Sequence, residues 1–359
     1  MSTPTLHQPA PSASAISQAV AALRAGQLVG LPTETVYGLA GDACNDQAVA
    51  AIFALKGRPS DHPLIVHVHD AAAANAFAAQ VPDFAQRLMD AFWPGPLTLI
   101  LPRRAGVAQA AAGGQSSIGL RCPAHPLTQA LLRDCAQAGI AGLAAPSANR
   151  FGRVSPTTAE HVRQEFGPDL LVLDGGPCAL GIESTLVDCT RGQPVVLRPG
   201  AITRQQVAQA ALAADTPAQS APAATAPRAS GTLQAHYAPN AKVRLMDAQS
   251  LQAALDLLCA AHRAQGARQH PAAAPAVAVW ARSTLRLPQA NRVALLRRMP
   301  PTPAAAAQQL FATLREFDAL KVPLVWVEAP PDTPEWEAVR DRLLRAQAAG
   351  QTQATAHQA

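Results

Sequence analysis

Lys56-Gly57-Arg58-Pro59-Ser60-Asp61-His62-Pro63-Leu64-Ile65-Val66-His67 reads as the end of a helix followed at once by a short apolar strand. Upstream, Asn45 or Asp46 can cap a helix through Leu55, with Ala48, Val49, Ile52 and Phe53 on one side. Gly57 ends that helix, and Leu64 to Val68 reads as a strand. A short strand, Leu28 to Leu31, precedes the helix, so strands and helices alternate as in a mixed α/β domain. The stretch also carries chemistry. Of 29 Lys and Arg residues in the chain, only Lys56, Lys242 and Lys321 are lysines. A chain that uses Arg for generic charge has reason to place Lys beside Arg where a compact point charge is wanted next to a planar fork, and polyphosphates want both. By itself the stretch is equally a solvated basic turn, since cations favour helix C-termini. His67, with Ile65 on its own face of the strand, is by itself more in keeping with a satisfied core residue than with a ligand contact.

Working outward, further short strands fall at Leu97–Leu101, Ser117–Arg121, Leu143–Ala145, Leu170–Leu173, Ser184–Asp188 and Val195–Leu197. Helical stretches occur at Ser14–Ala25, Pro126–Ala138 and Thr157–Phe166. Ala208 to Arg228 turns Ala/Pro/Thr/Gln-rich and reads as a linker. A second α/β pattern follows: strands Val243–Leu245, Val277–Trp280, Arg292–Leu296 and Pro323–Val327, with helices Leu251–Arg263, Ala304–Leu320 and Glu335–Ala348. The expected layout is a loose tail over 1–13, a mixed α/β domain over 14–205, a linker over 206–240, a small Rossmann-like parallel domain over 241–348 and a frayed tail over 349–359. The second domain has no G-x-G-x-x-G after its first strand, so dinucleotide binding there is not expected.

Composition narrows the function. The 359 residues are 49% apolar and 15% charged with a formal net charge of +5, enough for two cores and a mild fit to anionic ligands. Six cysteines form no C-x-x-C pair, which argues against structural zinc. The polar start resembles no signal peptide, and no apolar run nears the ~18 residues of a membrane span, so a reduced cytoplasmic protein without a membrane partner is expected. A G-x-S-x-G elbow and a G-x-x-x-x-G-K-[ST] loop are both absent, which argues against a Ser hydrolase and a P-loop NTPase. Other segments suit ligands at strand ends: Pro32-Thr33-Glu34-Thr35-Val36-Tyr37-Gly38, Ser117 to Arg121, and Ala145-Pro146-Ser147-Ala148-Asn149 running on to Ser155-Pro156-Thr157. Taken singly, each also reads as an ordinary turn, cap or surface arginine.

In order, these segments resemble the threonylcarbamoyl-AMP synthase family, whose catalytic unit is the YrdC-like domain, a twisted mixed sheet with helices. The resemblance rests on Pro32–Gly38, Lys56-Gly57-Arg58-Pro59 with Pro63–His67, Trp93-Pro94-Gly95-Pro96-Leu97-Thr98, Gly119-Leu120-Arg121, Pro146–Asn149, Ser155-Pro156-Thr157, Glu183-Ser184-Thr185 and Leu197-Arg198-Pro199-Gly200. Ser230-Gly231-Thr232 with His236-Tyr237-Ala238-Pro239, then the second α/β unit, resemble the long form. The resemblance implies that L-threonine, bicarbonate or CO2, and ATP give threonylcarbamoyl-AMP and pyrophosphate. The product would pass to the tRNA threonylcarbamoyl transferase machinery, which modifies the adenosine next to the anticodon. Mg²⁺ would come in with ATP, and weak tRNA contact fits the charge.

It further implies that Lys56 and Arg58 neutralise the triphosphate. His62, Ser117, Ser147, Asn149, Ser155, Arg198, His236 and Tyr237 would contact ATP, the last two as part of a lid. Thr35, His67, Arg121, Ala145 and Ser184 would hold threonine, with Arg121 on its carboxylate. His62 stands where the family often has Asn, and the linker lacks the common Pro-Gly-Met-Lys-rich form. The competing readings are a non-catalytic RNA-binding module, disfavoured by 4% aromatic content, and a carbamoyl-transfer maturation factor, disfavoured by the missing C-x-x-C pairs.

Overall fold

The structure, a computed structural model, describes residues 13–212, 226–233, 235–264, 275–287 and 293–356. It divides into two compact units, one of residues 1–151 and 155–232, the other of 152–154 and 233–359. The centre of the expected linker, nearly all of the expected N-terminal tail, and 357–359 lie outside the described residues.

The first unit is built on nine strands: β1 (Val29–Leu31), β2 (Gly38–Asp42), β3 (Ile65–His67), β4 (Leu97–Pro102), β5 (Ser117–Arg121), β6 (Leu143–Ala144), β7 (Leu171–Val172), β8 (Thr185–Asp188) and β9 (Val195–Arg198). Their spatial order is β7-β1-β2-β6-β3-β5-β4-β8-β9. β1–β7, β3–β5 and β4–β8 pair parallel, and the other neighbours antiparallel. The helices are α1 (Ala13–Arg24), α2 (Asp46–Lys56), α3 (Asp83–Phe92), α4 (Pro126–Gln137), α5 (Ala159–Phe166) and α6 (Arg204–Ala211). One core cluster packs α2 and α3 on the sheet through Ile52, Phe53, Leu88, Met89 and Leu99. A second packs α1 and α4 through Leu23, Leu127 and Leu131.

Local chemistry fixes where α2 starts and stops. Asn45 Oδ1 accepts from the backbone N–H groups of Gln47 and Ala48, a cap worth about 1 kcal/mol. At the other end Gly57 turns left-handed with φ 63°, while the Gly57 and Arg58 N–H groups donate to the Ala54 and Phe53 carbonyls. That six-to-one closure is a Schellman turn, and only glycine takes its φ without strain. It sets Lys56 and Arg58 on either side of a sharp reversal leading into β3.

The second unit is a four-stranded parallel sheet of order β10-β13-β11-β12, from β10 (Lys242–Met246), β11 (Val277–Ala281), β12 (Ala294–Arg298) and β13 (Leu324–Glu328). Helices α7 (Ala248–Ala264), α8 (Pro303–Ala319) and α9 (Glu337–Ala356) complete it. Two expectations need correction. α6 runs to Ala211, into the expected linker, because Thr203 and Gln206 form a reciprocal capping box that starts it. α9 continues to Ala356, where fraying was expected from 349. Gln347 on that helix accepts from the Leu245 N–H of edge strand β10, so the helix covers a sheet edge.

Candidate active site

The α2 exit, the loop after β6 and the strand β3 meet through buried polar contacts. Lys56 is 3% exposed. Its Nζ donates to the Ser147 carbonyl at 2.6 Å and to the Asn149 carbonyl, and the Phe151 N–H donates back to the Lys56 carbonyl. Burial, and then the Arg58 guanidinium, push the Lys56 amine well below its ordinary pKa. Lys56, expected to face the triphosphate, is thus spent in good part on holding the Ser147–Asn149 loop. Arg58 donates to the His62 and Pro63 carbonyls and stacks 5.5 Å from the Phe151 ring centroid. His62 meets the same ring edge-on at 5.4 Å. Burial and then Arg58 lower the His62 pKa. Ser155, in the same loop, donates to Glu183 Oε1 at 2.5 Å.

A second cluster forms where β3, β5 and β4 run side by side. Arg121 pairs in register with His67 on one side and Thr98 on the other. Its guanidinium donates to Glu34 at 2.6 Å, Thr35 Oγ1 at 2.7 Å and the Gly95 carbonyl at 3.3 Å. Glu34 also accepts from the Ala124 N–H at 3.0 Å. Arg121, expected to fork onto a substrate carboxylate, is already paired with the Glu34 carboxylate, which orients its guanidinium. His67 is 3% exposed and its Nδ1 has no hydrogen-bond partner. Burial, and then Arg121, hold its pKa well below the ordinary value, so the ring is neutral. A buried neutral imidazole with an unpaired ring nitrogen is costly unless something bonds it. The Thr35 loop is itself pinned, with Thr33 Oγ1 2.8 Å from Thr35 and the Tyr37 hydroxyl donating to the Gly176 carbonyl at 2.8 Å. Ala145 lies at the end of β6, its N–H donating to the Ile65 carbonyl at 2.9 Å.

Ser184 joins the third group. Its hydroxyl lies 2.7 Å from Thr98 Oγ1 and accepts from Arg198 Nη2 at 3.1 Å. Arg198 also donates to the Ser184 carbonyl and, at 2.9 Å, to the Ser230 carbonyl. Expected as a nucleotide contact, Arg198 here ties β8 to a strap of residues 226–232. That strap, with Arg228, Ala229 and Ser230, closes a cleft whose other walls include Ser117, Gly119, Ile65 and Leu186. Arg228 pairs with Asp61 at 2.7 Å, its N–H donates to Gln115 Oε1 at 2.9 Å, and its carbonyl accepts from Gln115 Nε2 at 3.1 Å.

His236 and Tyr237, expected as ATP contacts, belong to the second unit: Tyr237 is buried there between the Phe311 ring, centroids 5.3 Å apart, and the Arg342 guanidinium, and His236 meets the Tyr237 ring edge-on at 4.1 Å. The first unit gathers all the other expected positions. Sequence reasoning left out Thr98, Glu183, Gln115 and Arg228 as site residues, and quoted Glu34 without a role. Glu34 had a signal, being the only carboxylate in the Pro32–Gly38 loop. Gln115 and Arg228 had none, because their pairing joins residues more than a hundred positions apart. Among the described residues, no three His, Cys, Asp or Glu side chains cluster to hold a metal ion, and no helix is long and apolar enough to cross a membrane.

A twisted mixed sheet with buried clusters of cations and hydroxyls, followed in sequence by a small parallel α/β unit, defines a two-unit α/β protein. Residues 21–200 match the Sua5/YciO/YrdC family, described as telomere recombination, and residues 202–349 match the threonylcarbamoyl-AMP synthase C-terminal domain. The chain belongs to the threonylcarbamoyl-AMP synthase family in its long, two-domain form. It is 36% identical over 333 residues to the threonylcarbamoyl-AMP synthase of Bacillus subtilis, covering 92% of each chain. Its fold matches P. abyssi Sua5 complexed with L-threonine with a TM-score of 0.76 and 30% identity, over 93% of this chain and 94% of that one. A variant of P. abyssi Sua5 with a His and a Tyr changed to Ala matches with a TM-score of 0.77 and 30% identity, over 93% of each chain.

Proposed function

We infer that this chain is an L-threonylcarbamoyladenylate synthase that serves tRNA modification. The threonine amine adds to CO2 and loses a proton, giving a carbamate. A carbamate oxygen attacks the α-phosphorus of ATP, the bond to the β-phosphate oxygen breaks, and pyrophosphate leaves. The substrate supplies the nucleophile, so the protein's work is positioning and charge neutralisation. The observation that carries the reading is the buried Thr35–Arg121–His67 cluster, a neutral imidazole with a free ring nitrogen beside an oriented guanidinium, in a chain whose relative was solved with L-threonine.

In this reading Arg121 meets the threonine carboxylate, and Thr35, His67, Ser184 and the backbone at Ala145 hold the rest of the amino acid. Arg58, Ser117, Ser147, Asn149, Ser155 and His62 receive the nucleotide. Lys56 acts by holding the Ser147–Asn149 loop in place through its carbonyls. Arg198 serves both ends by bracing Ser184 and the strap. Mg²⁺ enters on the triphosphate, held by phosphate oxygens and water. The product passes to the transferase that modifies tRNA, in the cytoplasm.

The test supplies protein, ATP, Mg²⁺, labelled bicarbonate and single amino acids, and follows pyrophosphate. Release that requires threonine and incorporates label into an adenylate is expected. Release independent of threonine would overturn the assignment.

A further inference from the structure

Thr98 and Ser184 carry two buried hydroxyl protons, and the residues around them offer an acceptor for one. Thr98 is fully buried inside β4, and Ser184, also buried, lies in the loop just ahead of β8. Their oxygens are 2.7 Å apart, so one hydroxyl donates to the other. Arg198 Nη2 donates to the Ser184 oxygen at 3.1 Å, and a guanidinium only donates. Among the described residues, neither hydroxyl has a further partner. One proton therefore lacks an acceptor in either arrangement, which is costly for a buried group.

The two arrangements differ in where the spare proton sits. If Ser184 donates to Thr98, the spare proton is on Thr98, enclosed in the sheet and out of reach of any ligand. If Thr98 donates to Ser184, the Ser184 oxygen accepts from both Thr98 and Arg198, and its own proton is left for an incoming acceptor. Only the second arrangement lets a bound molecule complete the hydrogen bonding, so an acceptor-bearing ligand selects it. His67, Arg121 and Thr98 are paired in register across β3, β5 and β4, and residues so paired share a face. Arg121 and Thr98 are thus one strand spacing apart, about 4.8 Å, a span that an amino acid bridges. In an amino acid whose carboxylate sits on Arg121, the ammonium has no lone pair to offer, whereas a side-chain hydroxyl oxygen does. We propose that Thr98 is a positioning residue that sets substrate specificity: it donates to Ser184 and so fixes Ser184 as the donor that reads the side-chain hydroxyl of threonine. This rests on the reading of the cluster as a threonine site.

The test measures pyrophosphate release with L-threonine and with L-α-aminobutyrate, which lacks only the hydroxyl. The parent protein is compared with Thr98→Val, Thr98→Ser, Ser184→Ala and the Thr98→Val, Ser184→Ala double variant. Valine keeps the shape of threonine in the strand and removes the donor, while serine keeps the donor. The parent should prefer threonine in kcat/KM by about a hundredfold or more. Thr98→Val should cut that preference about tenfold through a higher KM for threonine, with the KM for ATP moving by less than about twofold. Thr98→Ser should hold the preference within about twofold of the parent, because the donated hydrogen bond remains. Thr98→Val should add nothing to the loss caused by Ser184→Ala. Thr98→Ala takes the place of Thr98→Val if the latter does not fold. A full preference in Thr98→Val or in Ser184→Ala, or a loss that Thr98→Ser shares, overturns the proposal and leaves the threonine reading in place. A parent that treats the two amino acids alike overturns both.

Discussion

At the scale of single residues, the site is organised by what each buried charge already touches. In the proposed function Arg121 meets the threonine carboxylate, and Glu34 and Thr35 orient its guanidinium, each through one nitrogen. Removing either member of the Arg121–Glu34 pair should therefore strike the threonine half of the reaction. Arg121→Ala deletes a charge-assisted hydrogen bond worth about 1.5–3 kcal/mol, so the KM for threonine should rise roughly 10- to 150-fold while the KM for ATP changes little. Steady-state kinetics varying one substrate at a time checks this, and an unchanged threonine KM removes Arg121 from its role. Glu34→Ala leaves a buried guanidinium uncompensated and should cost about 3–5 kcal/mol of stability, read by denaturant unfolding. Lys56 shows the limit of reading charge from sequence. Its rarity marks it as special, but the carbonyls that claim its amine come from residues about ninety positions away.

Among the elements, the strap over 226–232 begins in the Ala/Pro/Thr/Gln-rich stretch Ala208–Arg228, whose sequence has no period to place it. Its order comes from partners: Arg228 on Asp61 and Gln115, and Ser230 under Arg198. The Arg228–Asp61 pair is exposed on both sides, so it contributes at most about 1 kcal/mol and is screened by salt. Arg228→Ala should accordingly raise strap opening by no more than about fivefold, seen as faster elastase cleavage after Ala229 at low salt, with the gap to the parent closing at high salt. Equal cleavage rates at low salt would mean the strap is held by Arg198 alone. Strand β2 was missed for a different reason. Gly38 and Gly41 suppress strand propensity, yet a Cβ on Gly41 would lie 3.0 Å from Leu28, so close packing requires what propensity penalises. Helix α2 was legible to within a residue because its cap and its Schellman glycine are both local.

For the whole molecule, the alternation of strands and helices and the compositional break near residue 208 made two α/β parts visible in the sequence. The strand order of the first unit was not visible, because β7 pairs with β1 across some 140 residues and nothing local encodes that. Two units with separate cores need not unfold together. Trp280, Trp326 and Trp336 lie in the second unit and Trp93 alone in the first, so tryptophan fluorescence reports mainly the second while far-ultraviolet circular dichroism reports both. Acid should separate them. In the first unit His67 and His125 are each held below the ordinary histidine pKa, both chiefly by burial. The unfolded chain protonates them near pH 6.5 and the folded unit does not, so the unfolded state binds more protons as the pH falls from about 6.5 towards the lower folded values. Each group then removes up to about 1.4 kcal/mol of stability per pH unit across that window, and nothing above it. In the second unit burial raises the pKa of Asp318, so in the acid range the folded state takes up that proton first and gains stability as the pH drops. Between about pH 6.5 and 5 the dichroism transition should therefore move to lower temperature more steeply than the fluorescence transition. His67→Gln should flatten the dichroism slope, and parallel slopes in parent and variant would show that His67 is not the group that acid finds.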